Sequence, residues 1–119
     1  MGNVANSTEA EYRKRIQVVY DRIENAFENV DPDLAECEQS LGAMTITFAD
    51  RTRCILSAQP AVRQLWLALA STGTAYHFNF DVSAGKWRDD KTGEVELVGF
   101  LEKFLREKTG LNGFRIEAA

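Results

Sequence analysis

A chain of 119 residues, 45% hydrophobic and 27% charged, is long enough for one core and too short for two domains. Its charge is polarised: Asp21 to Asp50 holds eight acids and one base, a balance of −7 within a total of −4, which disfavours nucleic acid and favours metal cations or a basic protein surface as partners. No apolar run approaches the roughly 18 residues of a membrane span, and the start MGNVANSTEAEY carries neither a secretory nor a transit signal, so a cytoplasmic address is expected.

Residues 1–8 read as a flexible leader and 9–119 as a single domain. From about Glu9 to Val30, the residues Tyr12, Ile16, Tyr20, Ile23, Phe27 and Val30 recur at intervals of three and four, which predicts a helix that Pro32 stops. The period then changes to two. Cys37 lies between Glu36 and Glu38, and after a Ser-Leu-Gly turn Met44, Ile46 and Phe48 alternate with Thr45, Thr47 and Ala49. A turn at Asp50-Arg51 leads to a strand through Cys54, Ile55 and Leu56, which Gln59-Pro60 ends. Leu65, Leu67 and Leu69 then alternate with Gln64, Trp66 and Ala68. Tyr76, Phe78, Phe80 and Val82 alternate with His77, Asn79 and Asp81, and a short strand at 86–88 follows. The last helix is predicted from about Glu94 to Lys108, with Glu94 and Glu96 in its first turn and Gly110 as C-cap. The two cysteines have no CxxC spacing and no histidine nearby, so both read as small apolar residues of strands.

Strands joined by short turns are antiparallel, and each of these has one apolar face. The expectation is an α+β, two-layer sandwich: an antiparallel sheet of five to six strands with the N- and C-terminal helices packed on one face. The other face is left to solvent or a partner.

Two features carry chemistry. Asp21, Glu24, Glu28 and Asp31 are spaced three, four and three apart, so they are expected on one helical face, and Asp33, Glu36 and Glu38 continue the acidity. Like charges at these spacings destabilise a helix by a few tenths of a kcal/mol per pair. The stripe is either a solvated helix face or a surface that gathers cations such as Fe²⁺, Fe³⁺, Mn²⁺ or Ca²⁺ through carboxylate oxygens. The second feature is Trp66, which alternation places with Gln64 on the polar face of its strand, where an indole is a common interface anchor.

The stretch Ser57-Ala58-Gln59-Pro60-Ala61-Val62-Arg63-Gln64-Leu65-Trp66-Leu67-Ala68 resembles the frataxin signature, with Ser57 at the signature Asn position and the proline one place early. Tyr76-His77-Phe78-Asn79 is similar to the Tyr-His-Phe-Asp segment of bacterial members. Trp87-Arg88-Asp89-Asp90-Lys91-Thr92-Gly93-Glu94 is similar to the W-x-x-D-x-x-G-E before the family's last helix. The resemblance implies a frataxin-like fold and weak, exchangeable Fe²⁺/Fe³⁺ binding along the acidic ridge of Glu24, Glu28, Asp31, Asp33, Glu36 and Glu38. Asp21 joins by spacing. It further implies docking on a cysteine desulfurase and its iron–sulfur scaffold protein, with Gln59, Gln64 and Trp66 as the sheet-face contact, and a role as iron donor or regulator of cluster assembly.

Two other readings stay open: a non-metal acidic adaptor, and a ferroxidase-type enzyme. Ferroxidase centres use Glu and Glu-x-x-His ligands, and the one histidine, His77, falls on the sheet away from the acids. No catalytic residue is assigned. The expected state is a monomer, with iron-induced oligomerisation as the alternative.

Overall fold

The computed structural model describes residues 8–118. The element order is α1 (Glu9–Ala26), β1 (Ala35–Ser40), β2 (Ala43–Phe48), β3 (Arg53–Gln59), a 3₁₀ turn (Pro60–Val62), β4 (Gln64–Leu69), β5 (Thr74–Asp81), β6 (Lys86–Asp89) and α2 (Leu97–Thr109). Residues 1–7 of the expected leader lie outside the described residues. Thr8 belongs to α1: its hydroxyl accepts from Glu11 N–H and the Glu11 carboxylate accepts from Thr8 N–H, a reciprocal capping box.

Helix α1 ends at Ala26, a turn earlier than the periodicity predicts. Beyond Glu24 the backbone tightens to i→i+3 bonds, Phe27 N–H to Glu24 O and Glu28 N–H to Asn25 O. Pro32 favours extended backbone at Asp31, whose carboxylate accepts from Asp33 N–H and fixes the turn. Phe27 and Val30 still pack on the core, so their apolar spacing persists outside the helix. Helix α2 starts later than predicted, because Glu96 is its N-cap, accepting from Val98 and Gly99 N–H, and Glu94 precedes it. Gly110, at φ +77°, ends it in the left-handed conformation that glycine adopts without strain. Val82 is exposed beyond β5, because the Asp81 carboxylate accepts from Ser83 and Ala84 N–H and bends the chain there.

The six strands form one antiparallel meander in the order β1 to β6. Register aligns Cys37, Ile46, Cys54 and Leu69 on one face, beside Met44, Leu56 and Leu67. Ile16, Val19, Tyr20 and Ile23 of α1 and Leu97, Leu101 and Leu105 of α2 bury against that face. The Tyr12 hydroxyl pins α1 to the β3–β4 hairpin: it donates to Gln64 O at 2.6 Å and accepts from Gln59 N–H at 2.9 Å.

One part of the core lies beyond the periodic elements. After Gly110 the chain folds back, and Phe114 and Ile116 are buried. Phe114 meets Phe27 edge-on with ring centroids 5.2 Å apart, while Arg106 Nε donates to Phe114 O and Ile116 N–H to Glu102 Oε2. Two inward residues in an irregular segment present no helical or strand period, so sequence pattern is blind to them. Phe114→Ala is expected to lower stability by about 3 kcal/mol, the usual loss for a buried phenylalanine, measured by denaturant unfolding. A loss below about 1 kcal/mol would mean that this segment adds little to the core.

Candidate functional site

All seven predicted acids are exposed, but the four expected on one helical face, Asp21, Glu24, Glu28 and Asp31, do not share it. Asp21 and Glu24 lie on α1, whereas Glu28, Asp31 and Asp33 lie on the turn that follows the shortened helix. Glu36 and Glu38 lie on the edge strand β1, whose alternation turns Cys37 and Gln39 toward α1. Gln39 Nε2 donates to Glu24 Oε1 at 2.9 Å, and Gln17 Nε2 donates to Asp21 Oδ1 at 2.8 Å. Glu36 and Glu38 therefore fall on the opposite, open face, in register with Thr47 and Thr45. The acids form a band that wraps the β1 edge of the domain.

Among the described residues, no three of His, Cys, Asp and Glu converge on one point. Separate, solvated carboxylates raise the local cation concentration and bind weakly, in the manner of hard oxygen donors rather than a closed cage. Cys37 adds no soft ligand, since burial first, and then Glu24 and Glu38, push its thiol up to about 12. Its register places His77 in β5 and the acids beside β1, four strand spacings or roughly 19 Å apart. A Glu/His ferroxidase centre is thus not assembled on the acidic band.

The open face is built by the same hairpin that Tyr12 clamps. Gln59, Gln64 and Trp66 all fall on it, in rows that register completes: Ser40, Ala43, Ser57, Trp66 and His77 form one, and Gln59, Gln64, Asn79 and Arg88 the next. Trp66 is half-buried by neighbours within the face. Its indole stacks on His77, and Nε1–H donates to Gln64 Oε1 at 2.8 Å. Gln64 Nε2 in turn donates to Asn79 Oδ1 and Asp90 Oδ2, each at 3.2 Å. Among the described residues, Gln59 Nε2 reaches Ser57 Oγ, at 3.4 Å. His77, Asn79 and Asp90 are thus part of this constellation although the sequence assigned them no role. The available signal was the placement of His77 and Trp66 on the polar faces of consecutive strands, which antiparallel pairing can bring together.

Small residues (Ala43, Thr45, Thr47, Ser57, Ala68, Ala75) make up much of the rest of this face, with Ile55 between Thr45 and Ala68 and Arg53 beside Thr47, and Trp66 is its largest side chain. Glu36 and Glu38 border the same surface, which places charge and aromatic group within one footprint.

Glu24, Glu28 and Asp31 replaced together by Gln, Gln and Asn are expected to leave the melting temperature unchanged or slightly raised. The amide oxygens still accept the Gln39 and Asp33 bonds, while like-charge repulsion is removed. A marked fall in a thermal melt would show that the charges themselves hold the α1–β1 junction.

A Frataxin-like domain model matches residues 5–111. The "Iron-sulfur cluster assembly protein CyaY" of Azotobacter vinelandii is 37% identical over 103 residues, covering 87% of this chain and 90% of that protein. Its namesake in Pseudomonas fluorescens (strain Pf0-1) is 33% identical over the same length and shares. The fold is similar to the solved structure of frataxin from Psychromonas ingrahamii, with a TM-score of 0.76 at 24% identity, covering 87% of this chain and 93% of that one. A family model over most of the chain, relatives above 30% identity along nearly all of it, and the six-stranded sheet covered by two helices together mean that the chain belongs to the frataxin family, among its CyaY-like members.

Proposed function

We propose that this protein serves iron–sulfur cluster assembly by gathering iron weakly along its acidic band and docking, through the open sheet face, on a cysteine desulfurase and its scaffold protein. It acts there as an iron donor, as a regulator of the desulfurase, or as both. Iron is cargo in this reading, held by exchangeable carboxylate contacts rather than a resident centre. The observation that carries the reading is the shared footprint: Glu36 and Glu38 edge the surface whose centre is the pre-held Trp66. The names of the relatives point to the same process. Charge along the rim steers a basic partner into encounter, and an aromatic anchor at the centre sets how long it stays.

A pure adaptor that binds no metal is the second reading. It is favoured by the lack of any three converging ligands among the described residues, and by the amide bonds that Gln17 and Gln39 already make to Asp21 and Glu24. Titration with Fe²⁺, followed by NMR, separates the two. Broadening is expected at Asp21, Glu24, Glu28, Asp31, Asp33, Glu36 and Glu38, and it should weaken with added salt because the site is exposed. Broadening confined to α2, or none at all, would leave the adaptor reading standing.

Docking is tested by Trp66→Ala. The fold should survive, because Trp66 lies opposite the face filled by Leu65 and Leu67. Dissociation from the desulfurase should accelerate by an amount equivalent to about 2 kcal/mol, with little dependence on salt. Neutralising Glu36 and Glu38 should instead slow association in a salt-sensitive way. An unchanged complex lifetime in Trp66→Ala would remove the sheet face from the interface.

A further inference from the structure

Four side chains on the open face nearly close a ring through Trp66. The His77 imidazole lies on the indole, with centroids 4.1 Å apart and planes 12° from parallel. The indole Nε1–H donates to Gln64 Oε1 at 2.8 Å, and Gln64 Nε2 donates to Asp90 Oδ2 at 3.2 Å. The fourth link would run from His77 Nδ1 back to Asp90 Oδ2. At 3.7 Å it is beyond hydrogen-bond length, the one link of the four left open. Histidine is also the side chain whose charge changes in the physiological pH range.

With a proton on both ring nitrogens, His77 Nδ1 becomes a charged donor facing a carboxylate. The same proton puts a cation against the face of the indole. Both changes favour closing the ring. Of the neighbouring charges, Arg88 and Asp89 are engaged elsewhere. β4 presents Gln64, Trp66 and Ala68 on this face, none of them charged. From β6 and its loop, Arg88 is bonded to Asp81, and the Asp89 carboxylate accepts from Thr92 and Val95 N–H. Lys91, with Asp89 and Asp90, lines the cavity of about 370 Å³ beside His77. Asp90 is the group that His77 Nδ1 faces.

We infer that His77 is a positioning residue for Trp66, and that its protonation closes the ring and fixes the indole for docking. The inference rests on the sheet face being the docking surface and goes further, by making that surface bind more tightly in mild acid than in mild base. A side chain ordered before association no longer loses that freedom on binding.

The test has two arms, both on the full chain. In the first, NMR follows the Trp66 Nε1–H resonance and the His77 ring signals between pH 8 and pH 5 in the protein alone. The Trp66 resonance is expected to move with the same midpoint as His77, to move less in Asp90→Asn, and not to move in His77→Gln. A Trp66 resonance that stays put while His77 titrates overturns the inference, whether or not the face binds anything. In the second arm, affinity for purified cysteine desulfurase is measured at pH 6 and pH 8. Wild type should lose about threefold more affinity at the higher pH than His77→Gln does, the scale of ordering one side chain. Equal pH dependence in the two proteins overturns the role of the proton in docking. If Trp66→Ala binds as tightly as wild type while the NMR response is intact in the parent, the docking reading fails and the ring stands.

Discussion

Two helices can cover only one face of a six-stranded sheet, and most of what this domain can do follows from that one-sided burial. The inner face carries the stability. Ile46, Leu56, Leu65, Leu67 and Phe78 are fully enclosed there, and burying each such side chain is worth roughly 1.5–3 kcal/mol. The outer face is free of that demand. Small residues, amides and one indole can occupy it at little cost in stability, and the backbone polar groups of its central strands are already paired within the meander. A flat, polar surface with a single aromatic relief is a consequence of the layer count before it is a consequence of function.

The two faces are tied together at a few points, and those points place the site. The Tyr12 hydroxyl bridges Gln59 N–H and Gln64 O from the core side, so the ends of β3 and β4 are held where their side chains project outward. A second anchor is the loop after β6. The buried Asp89 carboxylate accepts from Thr92 and Val95 N–H, while Asp90 N–H donates to His77 O. Backbone bonds therefore bring Asp90 beside the Trp66–His77 stack. The surface network is positioned by main chain, and the substitutions with least effect on the core are those of the side chains that form it.

The acidic band answers to a structural need as well as a functional one. β1 is an edge strand, and charged residues such as Glu36 and Glu38 discourage another chain from pairing there. The same carboxylates raise cation concentration along that edge. Repulsion among the acids is moderated by exposure and by neutral amides, since Gln17 and Gln39 donate to Asp21 and Glu24. A lysine at either place would hold the junction as well and would lower the potential that attracts a metal.

Local periodicity was enough to determine the layer architecture. The three-four spacing of Tyr12 to Ile23, the alternation in β2 and β4, and Gly110 after the last helix are rules that act within a few residues, and the fold obeys them. The same alternation put Gln64 and Trp66 on the outer face. Tertiary structure decided what depends on chain segments meeting from afar. The shorter α1 moved Glu28 and Asp31 off the helix, because a proline-directed turn and the packing of Phe27 on Phe114 prevailed over helical spacing. Strand alternation then put Glu36 and Glu38 together on the open face, away from Asp21 and Glu24 of α1. Phe114 and Ile116 entered the core from a segment with no period to read. His77, Trp66, Gln64 and Asp90 became neighbours only through antiparallel register and the return of one loop. A contact of that kind depends on which strands pair, and pairing is settled by burial of the whole sheet rather than by any one segment of it.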